Sequence, residues 1–116
     1  MRLYVAGPMR GYEYFNFPAF DAASLQLREI GYDVVNPAEL DRVEGIHEFS
    51  ELPKGFIRQA MKRDTAAICD CDGIALLPGW EKSAGVDVEK RLGELIGLEI
   101  KELAHWLGTK PQAVNA

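Results

Sequence analysis

The feature that most limits the fold of this chain is the alternation of short apolar runs with helically spaced ones. Gly73-Ile74-Ala75-Leu76-Leu77 is apolar throughout, the pattern of a strand buried on both faces of a parallel sheet. Leu3-Tyr4-Val5-Ala6 is a similar run closed by Gly7-Pro8, and Tyr32 to Asn36 is another, ended by Pro37. Between them, Phe20, Ala23, Leu27 and Ile30 recur at helical spacing, with Asn16 expected as N-cap and Gly31 as the stop. Residues 37 to 53 show no clear period and read as a long connection. Helices are expected from Lys54 to Cys69 and from Ser83 to Gly97, the second with a stripe of Val88, Leu92, Leu95 and Ile96. Leu98 to Lys101 reads as a last strand and Glu102 to Leu107 as a last helix. Strand and helix in alternation mean an α/β fold, a Rossmann-like three-layer sandwich around a mostly parallel sheet of four or five strands. In such sheets ligands bind beyond the carboxyl ends of the strands. The site is therefore expected among Gly7 to Asn16, the segment from Asn36, and Pro78 to Ser83.

Length and charge narrow the function. At 116 residues the chain is one domain, expected over residues 1–108 with a loose tail over 109–116. Hydrophobic residues at 47% and charged residues at 27% exclude disorder as the main state. No apolar run approaches the ~20 residues of a membrane span. Thirteen Lys and Arg against 18 Asp and Glu give a net charge of −5, which argues against a nucleic-acid polymer or an anionic membrane as partner but leaves room for a local phosphate pocket. With only Cys69 and Cys71, and no leader before the first strand, a cytoplasmic location is expected.

Several residues break the local pattern. Asp64 lies on the apolar side of its helix with Ile57, Ala60, Met61 and Ile68; it is either ion-paired there or put to use. Glu89 is flanked one turn on each side by Gly85 and Gly93, which points to close approach by backbone or ligand, or to a solvated carboxylate near a helix start. Ser83 can cap the helix and, with the free N–H groups behind it, hold an anion. Arg10, in the first loop, can grip a phosphate or carboxylate. Tyr12, Tyr14, Phe15 and Phe17 in that loop, and Trp80 in the third, can stack a planar base or cover the core. Tyr4 is the first-strand tyrosine nearest the mouth. Phosphate-loop, dinucleotide and nucleophile-elbow motifs do not occur, and Cys69-x-Cys71 with His47 and His105 is poor zinc spacing, so neither metal nor cofactor is expected.

Two stretches carry a resemblance. Leu3-Tyr4-Val5-Ala6-Gly7-Pro8-Met9-Arg10-Gly11, and Leu76-Leu77-Pro78-Gly79-Trp80-Glu81-Lys82-Ser83-Ala84-Gly85 followed by Glu89, resemble the nucleoside 2-deoxyribosyltransferase superfamily in a short branch. The match runs from about residue 2 to 101. It implies a flavodoxin-like sheet and cleavage of an N-glycosidic bond, with Glu89 as nucleophile on C1′, Asp64 as proton donor, and Tyr4 touching the sugar or orienting the Glu. Ser83 and Arg10 match phosphate-binding positions of the 2′-deoxynucleoside 5′-monophosphate N-glycosidases; nucleoside transferases have Asp in place of Ser83. Gly7, Pro8, Met9, Gly85 and Trp80 complete the implied substrate site. Pro8 stands where those hydrolases have Ser, and Asp87 adds a negative charge two residues before Glu89, raising its pKa if it faces the site. The expected activity is hydrolysis of (2′-deoxy)nucleoside 5′-monophosphates, with base exchange between nucleosides and a catalytically silent nucleotide-binding module as alternatives. A homodimer or higher homo-oligomer is implied as well.

Overall fold

Period-2 alternation along the first strand divides the core in two. In the computed structural model, which describes residues 1–47 and 50–111, strand β1 (Arg2–Ala6) sends Leu3 and Val5 to one face of the sheet and Tyr4 and Ala6 to the other. Leu3 and Val5 meet helix α1 (Phe17–Glu29) through Phe17, Phe20, Ala23 and Leu27, and helix α5 (Leu103–Leu107) through Trp106. Tyr4 and Ala6 share the second cluster with Ile68 of helix α3 (Phe56–Cys69) and Val86 of helix α4 (Ala84–Leu95). Helices thus cover both faces of one sheet, giving three layers in a single α/β domain.

The sheet has four strands in the order β2-β1-β3-β4, with β2 at Asp33–Val35, β3 at Gly73–Leu76 and β4 at Glu99–Glu102. All three pairings are parallel, and Tyr4 lies between Val35 and Ile74 in register. Every residue of β3 is buried, as its unbroken apolar run requires. The chain leaves β1 toward β2 on one side and returns to β3 on the other, so the strand order reverses between β1 and β3. A doubly wound sheet opens its ligand crevice at that point. This is the flavodoxin-like arrangement. No helix among the described residues is long and apolar enough to cross a membrane.

The structure refines the local expectations. Residues 37 to 53 are not wholly irregular: helix α2 (Pro37–Val43) starts the segment, with Pro37 in its first turn and the Asn36 side chain accepting a hydrogen bond from the Ala38 N–H at 3.0 Å. Asn16 is the N-cap residue of α1 as expected, but its side chain makes no capping hydrogen bond. Tyr14, Phe15 and Asn16 all have positive φ near 55°, and the Asn16 amide instead donates to the Pro8 carbonyl at 2.9 Å, fastening the first loop to the start of α1. Of the stripe read on α4, only Leu92 packs against the core; Val88 is 50% and Leu95 83% exposed, and Ile96 is exposed too. Val86, Glu89 and Gly93 form the buried face instead. Thr109, in the expected tail, hydrogen-bonds Tyr32 at 2.6 Å, and residues 112–116 lie outside the described residues.

Candidate active site

Tyr4 is fully buried on the α3/α4 face of β1, and its hydroxyl donates a short hydrogen bond to Glu89 Oε2. Glu89 comes from the second turn of α4, whose first turn is capped by Ser83 Oγ accepting from the Val86 N–H at 3.3 Å. Gly93, one turn after Glu89, explains how the helix sits so close: a Cβ there would lie 2.7 Å from Ile74 Cδ1. Gly85, one turn before, has only Ser83 Oγ near its missing Cβ and leaves open space on the same face. The two glycines therefore do different things. One admits the sheet and the other leaves the cavity open.

Asp64 arrives from α3 on the buried stripe it shares with Ala60 and Ile68. Its Oδ1 accepts from Arg63 Nε at 2.9 Å and lies 2.8 Å from Nη2. The same Nη2 reaches Asp41 Oδ1 of α2 at 2.7 Å, while Nη1 stands 3.2 Å from Glu44 Oε2 without hydrogen-bond geometry. Asp64 is thus ion-paired, and it also lines the cavity.

Burial sets the proton affinities. Glu89 is 6% exposed, and desolvation pushes its pKa up to about 8; the Tyr4 hydroxyl pulls it down, the Asp64 charge adds to the rise, and Arg63 opposes it. Asp64 is also raised, first by burial, with Arg63 working against the shift and the Tyr4 hydroxyl lowering it slightly. Tyr4 itself is held well above 10 by burial and by the neighbouring Glu89 and Asp64 charges. Asp87 has no part in this. It points away from the buried face and pairs with Arg91 at 3.2 Å, so the charge two residues before Glu89 stays in solvent.

These side chains line a cavity of about 380 Å³ beyond the carboxyl ends of β1 and β3, within the usual size of roughly 300–1,000 Å³ for small-molecule sites. Gly7, Pro8, Met9 and Arg10 form one wall, and Ser83, Ala84 and Gly85 another. The N–H groups of Ala84 and Gly85 belong to the first turn of α4, where no intrahelical acceptor exists. Arg10 is exposed at the rim with no ion-pair partner among the described residues, and Lys82 also lines the opening. Of the expected aromatics, Tyr12 and Phe15 line the cavity, Phe17 is in the core and Tyr14 is exposed. Trp80 corrects the expected substrate site. It lies outside the cavity, packed against the α4 side of the core with its Nε1 3.4 Å from Glu102 Oε1 and Lys90 5.7 Å above its ring. The left-handed turn at Gly79 sends the short helical turn Trp80–Lys82 outward, so Lys82 rather than Trp80 meets the opening.

The family described as a domain of unknown function, DUF4406, matches residues 1–102. The chain belongs to this family. Among curated proteins none matches. Every side chain of the DUF4406 cavity described above lies inside the matched residues. Arg63, Asp41 and Lys82 went unread in the sequence. Asp41 had one available signal, the Asn36-Pro37 pair that opens a helix and so gives Asp41 a defined inward face.

Proposed function

We propose that this protein is a hydrolase of the N-glycosidic bond of (2′-deoxy)nucleoside 5′-monophosphates, acting in the cytoplasm without a cofactor. The observation that carries the reading is the Glu89–Tyr4–Asp64 constellation at the base of a cavity whose rim holds a helix N-terminus and the exposed Arg10. Gly85 and Glu89 are one turn apart on one face of α4, about 5–6 Å along the axis. That spacing suits a phosphate at the helix start and a sugar over the carboxylate.

The chemistry follows from the proton inventory. With Glu89 titrating at about 8, the free site at neutral pH holds one proton on the Glu89/Asp64 pair. The Tyr4 hydroxyl, which donates to an ionised Glu89 and also acts on Asp64, can instead accept from protonated Glu89 and turn its own proton to Asp64, so that the proton passes from one carboxyl to the other. Glu89 is then ionised and attacks C1′ as the C1′–N bond breaks through an oxocarbenium-like transition state. Asp64 gives its proton to the departing base. A water then attacks C1′ of the glycosyl ester, releasing the sugar phosphate, restoring the Glu89 carboxylate and returning one proton to the pair. The phosphate is held by Arg10, by the Ala84 and Gly85 N–H groups, and by Ser83. An Asp at 83 would repel it.

Homo-oligomer formation is part of the reading and is supported by the exposed Val88 and Leu95 on α4 and Ile96 just past its end, which a second copy of the chain would cover. The test of function is release of free base from a panel of deoxynucleotides and deoxynucleosides, with and without a second free base. Release that needs only water supports hydrolysis. Exchange without net release makes the protein a transferase, and binding with neither makes it a silent nucleotide module.

A further inference from the structure

Asp41 is a buried carboxylate for which the mechanism above has no use. Its side chain is 4% exposed, it comes from α2, and it lines the cavity. Arg63 satisfies only one of its oxygens: Nη2 lies 2.7 Å from Asp41 Oδ1, and the same guanidinium holds Asp64 by Oδ1. Asp41 Oδ2 has no hydrogen-bond partner among the described residues. Oδ2 is not sealed off among the buried atoms that lack a partner, so on a residue lining the cavity it stays open to a ligand that brings a donor.

The order of groups says which part of a ligand arrives there. The Glu89 site, Tyr4, Asp64, Arg63 and Asp41 form a continuous chain of contacts, with Asp41 at the end farthest along it from Glu89. Ser83 and Gly85 occupy the N-terminal end of α4, on the other side of Glu89. A nucleotide with its sugar over Glu89 and its phosphate at the start of α4 therefore directs its base toward Asp64 and Asp41. An acceptor-only group at that end favours an N–H₂ and disfavours a carbonyl oxygen in the same place.

We propose that Asp41 is a specificity residue that selects bases carrying an exocyclic amino group, so that adenine and cytosine nucleotides are taken in preference to hypoxanthine, uracil and thymine ones. This rests on the nucleotide reading of the same cavity. Arg63 is the positioning residue: by binding Oδ1 of both carboxylates it fixes which Asp41 oxygen remains for the base. Loss of a charge-assisted hydrogen bond at a buried acceptor, with repulsion from the opposing carbonyl, gives about 10- to 100-fold discrimination.

The experiment is calorimetric titration of the Glu89→Gln protein with matched pairs, 2′-deoxyadenosine against 2′-deoxyinosine 5′-monophosphate and 2′-deoxycytidine against 2′-deoxyuridine 5′-monophosphate. Each pair differs only at the amino or carbonyl position and in the adjacent ring proton. The expected result is about 10- to 100-fold tighter binding of the amino member, collapsing to within about 3-fold when Asp41→Asn is added, since Asn keeps an acceptor for Arg63 but turns a donor or a neutral oxygen to the base. Equal affinity within both pairs overturns the proposal, as does discrimination that survives Asp41→Asn, or no binding of any of the four. The hydrolase reading fails separately, by absence of base release from the wild-type protein, because the titration reads recognition without turnover. Arg63→Lys is the second check: it keeps the positive charge but loses the fork, and is expected to reduce the discrimination while leaving the protein folded by its melting curve.

Discussion

Replacing Glu89 by Gln is expected to stabilise the fold, and to do so more strongly as pH rises. Glu89 has an ordinary pKa of 4.5 when exposed and about 8 in its buried position, so between those values the folded chain binds a proton that the unfolded chain has released. The sign is fixed by that difference. Stability contributed by protonated Glu89 is complete below about pH 4.5, is lost steadily as pH rises, and is gone above about 8. At about 1.4 kcal/mol per pH unit the full loss is about 5 kcal/mol, of which about 3 kcal/mol falls between pH 5.5 and 8.5. The substituted glutamine keeps the shape and an acceptor for the Tyr4 hydroxyl but cannot titrate. Subtracting wild-type from variant stability removes the contributions of groups that do not sense Glu89, while the coupled titration of Asp64 stays in the difference. The assay is urea unfolding of both proteins across that pH range, supported by melting temperatures, whose difference should widen by about 10 °C. Two curves that stay parallel would show that Glu89 ionises in the folded protein as easily as in water, and would refute the argument from burial.

Other outcomes follow from the same geometry. The kcat/KM for base release is expected to fall as pH rises through about 8, because the Glu89/Asp64 pair then loses its last proton; a profile that climbs through 8 would mean that Glu89 works alone, without a shared proton. Asp64→Asn should lower kcat about 100-fold or more while the protein stays folded, since Asn offers Arg63 an acceptor and Asp41 keeps its charge; normal turnover would leave Asp64 an ion-pair partner and nothing more. A deoxynucleoside 5′-monophosphate should be preferred over its nucleoside by some 10- to 1,000-fold in kcat/KM, and Ser83→Asp should abolish that preference. Equal wild-type rates on both would remove the phosphate site, and an unchanged preference in the variant would remove Ser83 from it.

Much of the framework was legible because single residues carried strong local signals. The unbroken apolar run of β3, the Gly31 stop after α1 and the Ser83 cap of α4 each reflect a short-range constraint that sequence displays directly. Asp64 stood out because it placed a carboxylate on the apolar side of its helix, and Glu89 because glycines flank it one turn on each side; the structure buries both. The apolar spacing of α4 pointed elsewhere. Its buried face is built from Glu89 and Gly93, so most of the apolar stripe is turned outward. Helix α2 escaped because seven residues are too few to show a period, and with it went Asp41. Arg63 could not be read as part of the site, for its role depends on a partner 22 residues away on another helix. Trp80 was misplaced by one turn: three residues of tight helix decide whether it or Lys82 faces the cavity, and nothing in their identities fixes that choice.

The central claim is that the buried carboxylate of Glu89 breaks an N-glycosidic bond. Its most direct measurement is chromatographic detection of free base after incubation of a deoxynucleoside 5′-monophosphate with the wild-type protein and with Glu89→Gln at equal concentration and pH 7. The account predicts release by the wild type and a rate at least about 100-fold lower in the variant, with cooperative unfolding retained. Equal release by both proteins, or none by the wild type from any deoxynucleotide, would contradict it.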